Sequence, residues 1–221
     1  MMPRRALIDK RPWLLASLAA GIAYFFLRHG HLPGVYEIAL KGAGAALLAL
    51  YALARHRGAD SRQIALVMAL GALGDMAIEL SLEAGAAAFL LGHLAAIHLY
   101  WRHRRAAPSV SQKAAAAALL VLTPAIAVQL PAAREGIALL GVYALALGAM
   151  AASAWTSSFP RYRVGIGAVL FVASDLLIFA QMGALAGSAV PDLLIWPLYY
   201  FGQFLICTGV VGELRARTAR A

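Results

Sequence analysis

Apolar stretches long enough to cross a lipid bilayer follow one another along most of this chain. A hydrocarbon core of about 30 Å needs roughly 20 apolar residues in a helix. Windows of about that length lie near residues 13–27, 35–54, 63–82, 86–101, 112–130, 136–156, 164–182 and 192–212. We therefore predict an all-α, polytopic membrane helix bundle of about eight transmembrane helices, forming a single transmembrane domain over residues 1–221.

The composition supports a membrane protein. The chain is 62% hydrophobic and 13% charged, and its mean hydropathy of +0.76 exceeds what a soluble domain needs for one core. The first window is short and follows MMPRRALIDKRPW, which resembles the charged start of a signal peptide. Since no small-residue cleavage site is followed by a soluble domain, we interpret this window as a span.

Basic residues are concentrated in every second connection between the windows. Only Arg28, Lys41 and Arg134 lie on one side of the predicted bundle. The other side holds the Lys and Arg residues at positions 4, 5, 10, 11, 55, 57, 62, 102, 104, 105, 113, 161, 163, 215, 217 and 220. Positive charge marks the cytoplasmic side of membrane proteins. We therefore expect both termini to be cytoplasmic, in a bacterial inner (plasma) membrane.

The same asymmetry accounts for the net charge of +9 without a nucleic-acid partner. The chain has no arm, repeat or aromatic and basic platform of the kind that binds DNA or RNA, so the basic residues are expected to contact anionic membrane lipids. Cys207, the one cysteine, excludes a disulfide framework and is predicted to be a buried, inert thiol.

Acidic residues inside two of the windows require an explanation. Residues 70–80 read LGALGDMAIEL and residues 170–180 read LFVASDLLIFA, which places Asp75 and Asp175 in the third and seventh windows. The windows that follow contain FLLGHL (89–94) and YYFGQFL (199–205), each with a glycine followed by a polar side chain. This pattern is typical of two parallel four-helix halves, 1–105 and 106–221. The match is short, so duplication and chance both stay open.

Helix rise predicts the depth of these polar groups. Asp75 and Asp175 each lie about twelve residues into a helix that runs outward, and His93 and Gln203 lie roughly seven and eleven residues in from the outer side. We therefore expect all four side chains to share one layer. Glu79 follows Asp75 by four residues, which turns it only about 40° around a helix, so we expect it to line the same cavity nearer the outer mouth.

The energetic cost favours a function for the acids. A charged acid at a helix centre costs about 2.5–3.5 kcal/mol on insertion scales, so these side chains must face protein or trapped water. Burial disfavours the ionised form of a carboxyl group, and a neighbouring carboxylate disfavours it further. One acid of a close pair can then stay protonated as a proton donor beside an ionised partner. The structural alternative is that polar side chains only bond across helices, beside small residues that pack closely.

Other chemistries fit the pattern less well. His93, His98 and His103 recur every five residues, which turns each about 140° from the last, so they do not converge on one ion. A zinc site built from Asp75, His93 and Asp175 is an alternative, but we predict no metal and no cofactor. Nucleophilic catalysis lacks a GxSxG motif or a serine with a base beside it.

Four blocks of this sequence resemble the YhhN-type lysoplasmalogenase family of integral membrane proteins. They are LGDMAIEL (73–80), FLLGHLAAIHLYW (89–101), VLFVASDLLIF (169–179) and PLYYFGQFLI (197–206). They occur in the family's order and at similar separations. The first two windows match in apolar character and in a lysine near the second window, here Lys41. The resemblance implies eight spans and hydrolysis of the alkenyl ether bond of lysoplasmalogens to a fatty aldehyde and a glycerophospho head group.

The resemblance also implies which residues form the site. Asp75, Asp175 and His93 are the candidate catalytic residues. The candidate substrate-binding residues are Glu79, Ser174, Tyr199, Tyr200 and Gln203. For Ser174 the alternative to substrate binding is a structural hydrogen bond, either to its own backbone or to a neighbouring helix. The implied partners are a lysophospholipid substrate and membrane lipids, and the sequence predicts no oligomeric state.

A vinyl ether is opened by protonation at carbon, which creates an oxocarbenium ion that water captures. We expect one of Asp75 and Asp175 to deliver that proton while the other, ionised, stabilises the cation and orients water, as two carboxylates do in glycoside hydrolysis. Two other classes of function stay open at this stage. One is a lipid or proton-coupled transporter, which predicts broken helices. The other is a structural or assembly partner, which predicts that both aspartates tolerate asparagine.

Overall fold

The computed structural model describes residues 11–30 and 32–220, and within these ranges the chain forms helices and no β-strand. A π-helical turn, Arg161–Gly165, leads into the seventh α-helix. The α-helices are α1 (Pro12–Leu27), α2 (Gly34–Arg55), α3 (Ala59–Ala77), α4 (Leu82–Arg102), α5 (Val110–Ala127), α6 (Ile137–Thr156), α7 (Ile166–Gln181) and α8 (Ala189–Thr218). The predicted all-α class is confirmed.

Six helices in the described ranges are long and apolar enough to cross a membrane: α2, α4, α5, α6, α7 with its π-helical turn, and α8. Helix α1 has 16 residues, which is short for a span. Helix α3 has 19 residues but includes Asp60, Arg62 and Asp75. The six apolar helices fit an integral membrane protein, while the expected eight crossings stay a prediction.

Local sequence explains where several helices begin. Pro12 occupies the first turn of α1, where its missing N–H is no loss. The Ser81 hydroxyl accepts a hydrogen bond from the Ala84 amide at the start of α4. At the start of α5, Ser109 and Gln112 form a capping box. Helix α6 follows Gly136, whose φ of 70° favours glycine.

One end of the bundle, here called the basic end, contains the starts of α1, α3, α5 and α7 and the ends of the other four helices. The loop after α4 and the loop after α6 are hydrogen-bonded to each other here, since the Ser158 amide donates to the His103 carbonyl oxygen at 2.6 Å. Side chains add to this connection, because Arg217 Nη2 donates to the Ser158 hydroxyl at 2.8 Å. All described basic residues that the sequence assigned to the cytoplasmic side lie here, while Arg4, Arg5 and Lys10 lie outside the described residues.

The other end, here called the cavity end, has few basic residues. Its two long connections pair through the backbone, since the Ala132 amide donates to the Met182 carbonyl oxygen and the Ala184 amide to that of Leu130, both at 3.2 Å. Which end faces the cytoplasm stays a prediction from the charge asymmetry.

Many of the fully buried apolar side chains lie toward the basic end. Leu99, Phe159, Val164 and Val210 are fully buried there. Cys207 is also buried, as predicted, and its Sγ lies 3.5 Å from the Leu48 carbonyl oxygen. Helices α2–α3, α3–α4, α5–α6 and α7–α8 pack as neighbours, and α8 also contacts α2 and α3. Duplication of the two halves stays a prediction.

Candidate active site

A cavity of about 350 Å³ opens between α3, α4, α6, α7 and α8 at the cavity end. We call it the large cavity. Its walls are mostly apolar and include Phe89, Leu140 and Ile178. Asp75 and Asp175 both line it. The two acids that the sequence placed in separate windows therefore share one pocket.

The carboxyl group of Asp75 is held by a tyrosine from α8. Asp75 lies two residues before the end of α3 and is 2% exposed. The Tyr199 hydroxyl donates to Asp75 Oδ2 at 2.8 Å, and Gln203 Nε2 donates to the Tyr199 oxygen at 3.4 Å. We call this set the Asp75 arm. Gly71 makes room for it, because a Cβ there would lie 2.7 Å from Gln203 Nε2.

The carboxyl group of Asp175 is held in the same way by side chains from two other helices. Asp175 on α7 is 6% exposed, and the Tyr143 hydroxyl of α6 donates to its Oδ2 at 2.7 Å. His93 of α4 lies with Nε2 3.3 Å from that hydroxyl oxygen. Since the hydroxyl proton is used on Asp175, His93 Nε2 is the donor of this second bond. We call this set the Asp175 arm.

Neither aspartate forms an ion pair with any described residue. Each arm instead supplies a neutral hydroxyl to one carboxylate oxygen. Removing a carboxyl group from water without a compensating cation disfavours its ionised form. The arrangement therefore leaves two acids that face a common cavity and that accept hydrogen bonds from tyrosine hydroxyls instead of forming ion pairs.

The third member of each arm lies below the large cavity. His93 and Gln203 line a second cavity of about 20 Å³, here called the small cavity, together with Tyr100. Phe89 lines both cavities. The expectation of one polar layer is therefore wrong. Asp75 lies close to the end of α3, whereas His93 and Gln203 lie eleven and fourteen residues into their helices.

Glu79 is not where the sequence placed it. Helix α3 ends at Ala77, so Glu79 lies in the following turn, and the rotation of 40° that assumed a continuous helix does not apply. Its carboxylate forms an ion pair with Lys41 of α2. Lys41 lines the large cavity, and Glu79 is absent from the described residues that do so. Glu79 therefore contacts the site through Lys41.

Two other candidates have structural partners. The Tyr200 hydroxyl lies 2.9 Å from the Ser17 hydroxyl, and its ring stacks on Trp196, so Tyr200 connects α8 to α1 away from the lining of either cavity. Ser174 lines the large cavity, but its hydroxyl donates to the Ile195 carbonyl oxygen of α8 at 3.0 Å. Its alternative, a bond to a neighbouring helix, is the one observed.

The sequence profile of the YhhN family matches residues 36–210. The chain belongs to the YhhN family. Curated proteins named lysoplasmalogenase, from Mycobacterium bovis and Mycobacterium tuberculosis, are each 32% identical to this chain over 189 residues, covering 81% of the chain and 71% of the relative. No solved structure matches the chain. The resemblance seen in the four sequence blocks is confirmed.

Sequence reasoning missed Tyr143 of this YhhN protein. Tyr143 is a lone polar side chain in the apolar sequence IALLGVYALALGAM of α6, and that isolation was the available indication. Lys41 entered the charge asymmetry and the family resemblance but received no role in the site. Glu83 and Glu135 also line the large cavity and form no ion pair with a described residue.

The residues of the alternative zinc site do not meet around one point. The zinc alternative required Asp75, His93 and Asp175 to meet, but Tyr143 lies between His93 and Asp175. In the part of the chain that the structure describes, no group of three or more His, Cys, Asp or Glu side chains is placed to hold a metal ion.

Proposed function

We propose that this YhhN protein is a membrane lysoplasmalogenase, which hydrolyses the vinyl ether bond of a 1-alkenyl lysophospholipid to a fatty aldehyde and a glycerophospho head group. The observation that carries the proposal is the pair of buried aspartates, each held by a tyrosine, in one largely apolar cavity. The family match and the relatives named lysoplasmalogenase support it. Both observations point to an acid-catalysed reaction on a lipid.

The first step is proton transfer to carbon. One aspartate of the pair is protonated and gives its proton to the alkenyl carbon that is not bonded to oxygen, and the carbon bonded to oxygen becomes an oxocarbenium ion. The second aspartate is ionised and lies across the cavity, where its charge stabilises that cation. In each carboxyl group Oδ2 is engaged by a tyrosine hydroxyl, so Oδ1 is left to face the substrate.

Water capture restores both aspartates. The ionised aspartate accepts a proton from a water molecule as that water adds to the oxocarbenium carbon, giving a hemiacetal. The hemiacetal then collapses to the aldehyde: its hydroxyl proton returns to the first aspartate, and the second aspartate protonates the departing glycerol oxygen. Each acid ends as it began, so one water is consumed and no other reactant is needed.

The charges at the cavity mouth orient the substrate. Lys41 is the one basic residue among the described residues that line the large cavity, and its ion pair with Glu79 fixes its position. We assign the lipid phosphate to Lys41 and the alkenyl chain to the apolar walls. Gln203 and His93 then act through the tyrosines rather than on the substrate, and Tyr200 and Glu79 have no direct contact with it.

The proposal includes an orientation in the membrane. The basic end is assigned to the cytoplasm, with both termini, and the membrane is the bacterial inner (plasma) membrane. The large cavity then opens toward the outer leaflet. A transporter predicts helices that are broken at internal prolines. Helices α5 and α8 continue through Pro124 and Pro197, so the transporter alternative lacks this support.

The test is a substrate comparison with purified protein. We expect aldehyde release from a 1-alkenyl lysophospholipid and no fatty acid from the matched 1-acyl lysophospholipid. Asp175→Asn provides the inactive control. Release of fatty acid would identify an esterase, and transfer of intact lipid across vesicles without cleavage would identify a transporter. Either result would contradict the proposed reaction.

A further inference from the structure

We propose that the alkenyl chain of the substrate leaves the large cavity across an apolar part of its rim, at Leu139 of α6, and ends in the lipid bilayer rather than inside the protein. This inference rests on the proposed function, because it locates the chain of the substrate assigned to this site. Three features of the cavity carry it: a closed floor, a depth smaller than the length of a lipid chain, and a rim that is charged on one part and apolar on another.

The floor of the large cavity is closed by Phe89 of α4. This ring lines both cavities and therefore separates them. It makes edge contacts with the rings of Phe171 and Tyr199, at centroid distances of 6.0 and 5.7 Å, and a Cβ at Gly74 would lie 2.8 Å from it. The small cavity beyond the ring, at about 20 Å³, has room for about one water molecule. A lipid chain that reaches the aspartates therefore finds no space below them.

The depth of the large cavity is smaller than the length of a lipid chain. Asp175 lies six residues before the end of α7, and Tyr143 lies six residues after the start of α6. At the rise of an α-helix, both groups are about 9 Å from the cavity end of their helices. A chain that crosses one leaflet covers half of the hydrocarbon core, or about 15 Å. Several ångströms of a chain whose vinyl ether lies at the aspartates must therefore extend out of the cavity.

The rim of the large cavity has a charged part and an apolar part. The charged part consists of Lys41, Glu83 and Glu135. The apolar part, here called the apolar rim, consists of Leu82, Leu139 and Met182, at the cavity ends of α4, α6 and α7. All three apolar side chains line the cavity and are nevertheless exposed, Leu139 to 69%. Because an apolar chain is stabilised by apolar contacts and not by charges, it crosses the apolar rim.

The order of the helices separates the two ends of the substrate. Going around the large cavity, α3, α4, α6, α7 and α8 each contact the next, and α8 contacts α3. Helix α2, which carries Lys41, packs against α3 and α8. Helix α6, which carries Leu139, therefore lies on the side of the cavity opposite to Lys41. A substrate with its phosphate at Lys41 and its chain at Leu139 extends across the cavity and passes the two aspartates.

This arrangement determines which chains are accepted. Methylene groups beyond the apolar rim are in lipid both before and after binding, so they add nothing to the free energy of binding. We expect kcat and KM in vesicles to stay constant for chains longer than about 9 Å, the depth of the cavity. A chain enclosed by protein would instead give a sharp upper limit, because a packed wall does not accept extra methylene groups.

The first test uses the unmodified protein and a series of 1-alkenyl lysophospholipids of increasing chain length. We expect kcat/KM to reach a plateau. A substrate whose chain ends in a bulky pyrene group should be cleaved within about twofold of the unlabelled one, because the label lies in the bilayer. A tenfold loss for long chains or for the pyrene substrate would overturn the proposal, since both results require an enclosed chain end.

The second test changes the apolar rim. Leu139→Asn places an amide against the chain, so the ratio of KM for a long-chain substrate to KM for a chain shorter than the cavity should rise about tenfold. Val142→Asn is the matched control, because Val142 lies one turn further along α6 and is 58% exposed but does not line the large cavity. An equal change of this ratio in both variants, or no change in either, would contradict the assignment. The chain-length series decides the question if Leu139→Asn does not fold.

A binding measurement separates this inference from the proposed function. A 1-alkyl lysophospholipid has no vinyl ether to cleave, and a photoreactive group at its chain end reports where that end lies. We expect the label on bilayer lipid and on the segments that contain Leu139 and Met182. Labelling of Phe89 at the cavity floor would overturn the proposal. A protein that gives the expected labelling but cleaves no alkenyl ether would contradict only the proposed function.

Discussion

At the basic end the acidic side chains lie against basic ones, whereas the two buried aspartates of the large cavity have only tyrosine hydroxyls. Asp60 Oδ1 lies 3.1 Å from Arg102 Nη2, and its Oδ2 lies 2.8 Å from His103 Nε2. Glu213 pairs with Arg217 and with another arginine at the end of α8. Asp75 and Asp175 have no such partner among the described residues.

Acidic side chains therefore have two different roles in this protein. A paired, partly exposed acid joins helix ends, and the free energy of unfolding depends on its charge. A buried acid held by neutral donors contributes little to holding helices together, because its charged form is not compensated. We therefore expect activity and stability to be lost at different ends of the molecule.

The largest effect should follow from removing either cavity acid. Asp75→Asn and Asp175→Asn keep the shape and the tyrosine hydrogen bond but remove the group that gives or accepts the proton. We expect each variant to lower kcat by about 10²–10⁴-fold, the range for general acid–base groups. The melting temperature should stay the same or rise, since a costly buried acid is replaced by a neutral amide. Aldehyde release and thermal unfolding in one detergent measure both. Full activity in both variants would end the two-carboxylate mechanism.

The tyrosines that hold the acids should give the next largest effect. Tyr143→Phe and Tyr199→Phe each remove one hydrogen bond to a carboxylate, and a loss of about 1.4 kcal/mol corresponds to a tenfold lower kcat. Tyr200→Phe is a close control, because Tyr200 is equally buried on α8 but bonds Ser17 instead of an aspartate. We expect steady-state kinetics to show little change for it. Equal losses at Tyr199 and Tyr200 would mean that α8 packing, and not the arm, is responsible.

Lys41 tests how the cavity mouth selects its substrate. Lys41→Gln should raise KM for a 1-alkenyl lysophospholipid about tenfold, the effect of losing one charge-assisted hydrogen bond to phosphate. KM for a 1-alkenylglycerol, which has no phosphate, should not change. Glu79→Gln is the matched control, because it removes the ion-pair partner and keeps the cation. If Lys41→Gln weakens both substrates equally, Lys41 has no role in head-group binding.

The sequence predicted much of this arrangement because membrane helices impose simple rules. Apolar length gave the helices, and the cost of an acid in lipid identified Asp75 and Asp175 as residues that must face a protected cavity. The expected place of Glu79 on the cavity wall and the expected single polar layer differ from the structure because α3 ends at Ala77, and a helix end inside an apolar window leaves no clear pattern. A role of Glu79 in substrate binding stays a prediction. Tyr143 was missed because a lone tyrosine in an apolar helix resembles packing until its partner is known.

The pairing between helices was also beyond the sequence. Asp75 is bonded by Tyr199 and Asp175 by Tyr143, so each arm depends on which helices become neighbours in the bundle. Periodicity fixes the face of one helix but not the helix that this face meets. Tyr200 was assigned to the site for the same reason. It follows Tyr199 directly and therefore points to a different neighbour, α1.

The smallest effect on activity should come from the paired acid at the basic end. Asp60→Asn removes the charge that Arg102 and His103 contact and replaces one of its two acceptor oxygens by an NH2 donor that faces another donor. For a partly buried pair we expect a loss of about 1 kcal/mol, or a melting temperature lower by about 3 °C. High salt should reduce the difference from the unmodified protein, because screening weakens the ion pair in the unmodified protein and the variant has no such pair. Aldehyde release at a temperature well below unfolding should be unchanged, since Asp60 lies at the end of α3 opposite to Asp75.

A large loss of activity without a loss of stability would show that the two ends are coupled, and the division between structural and reactive acids would fail.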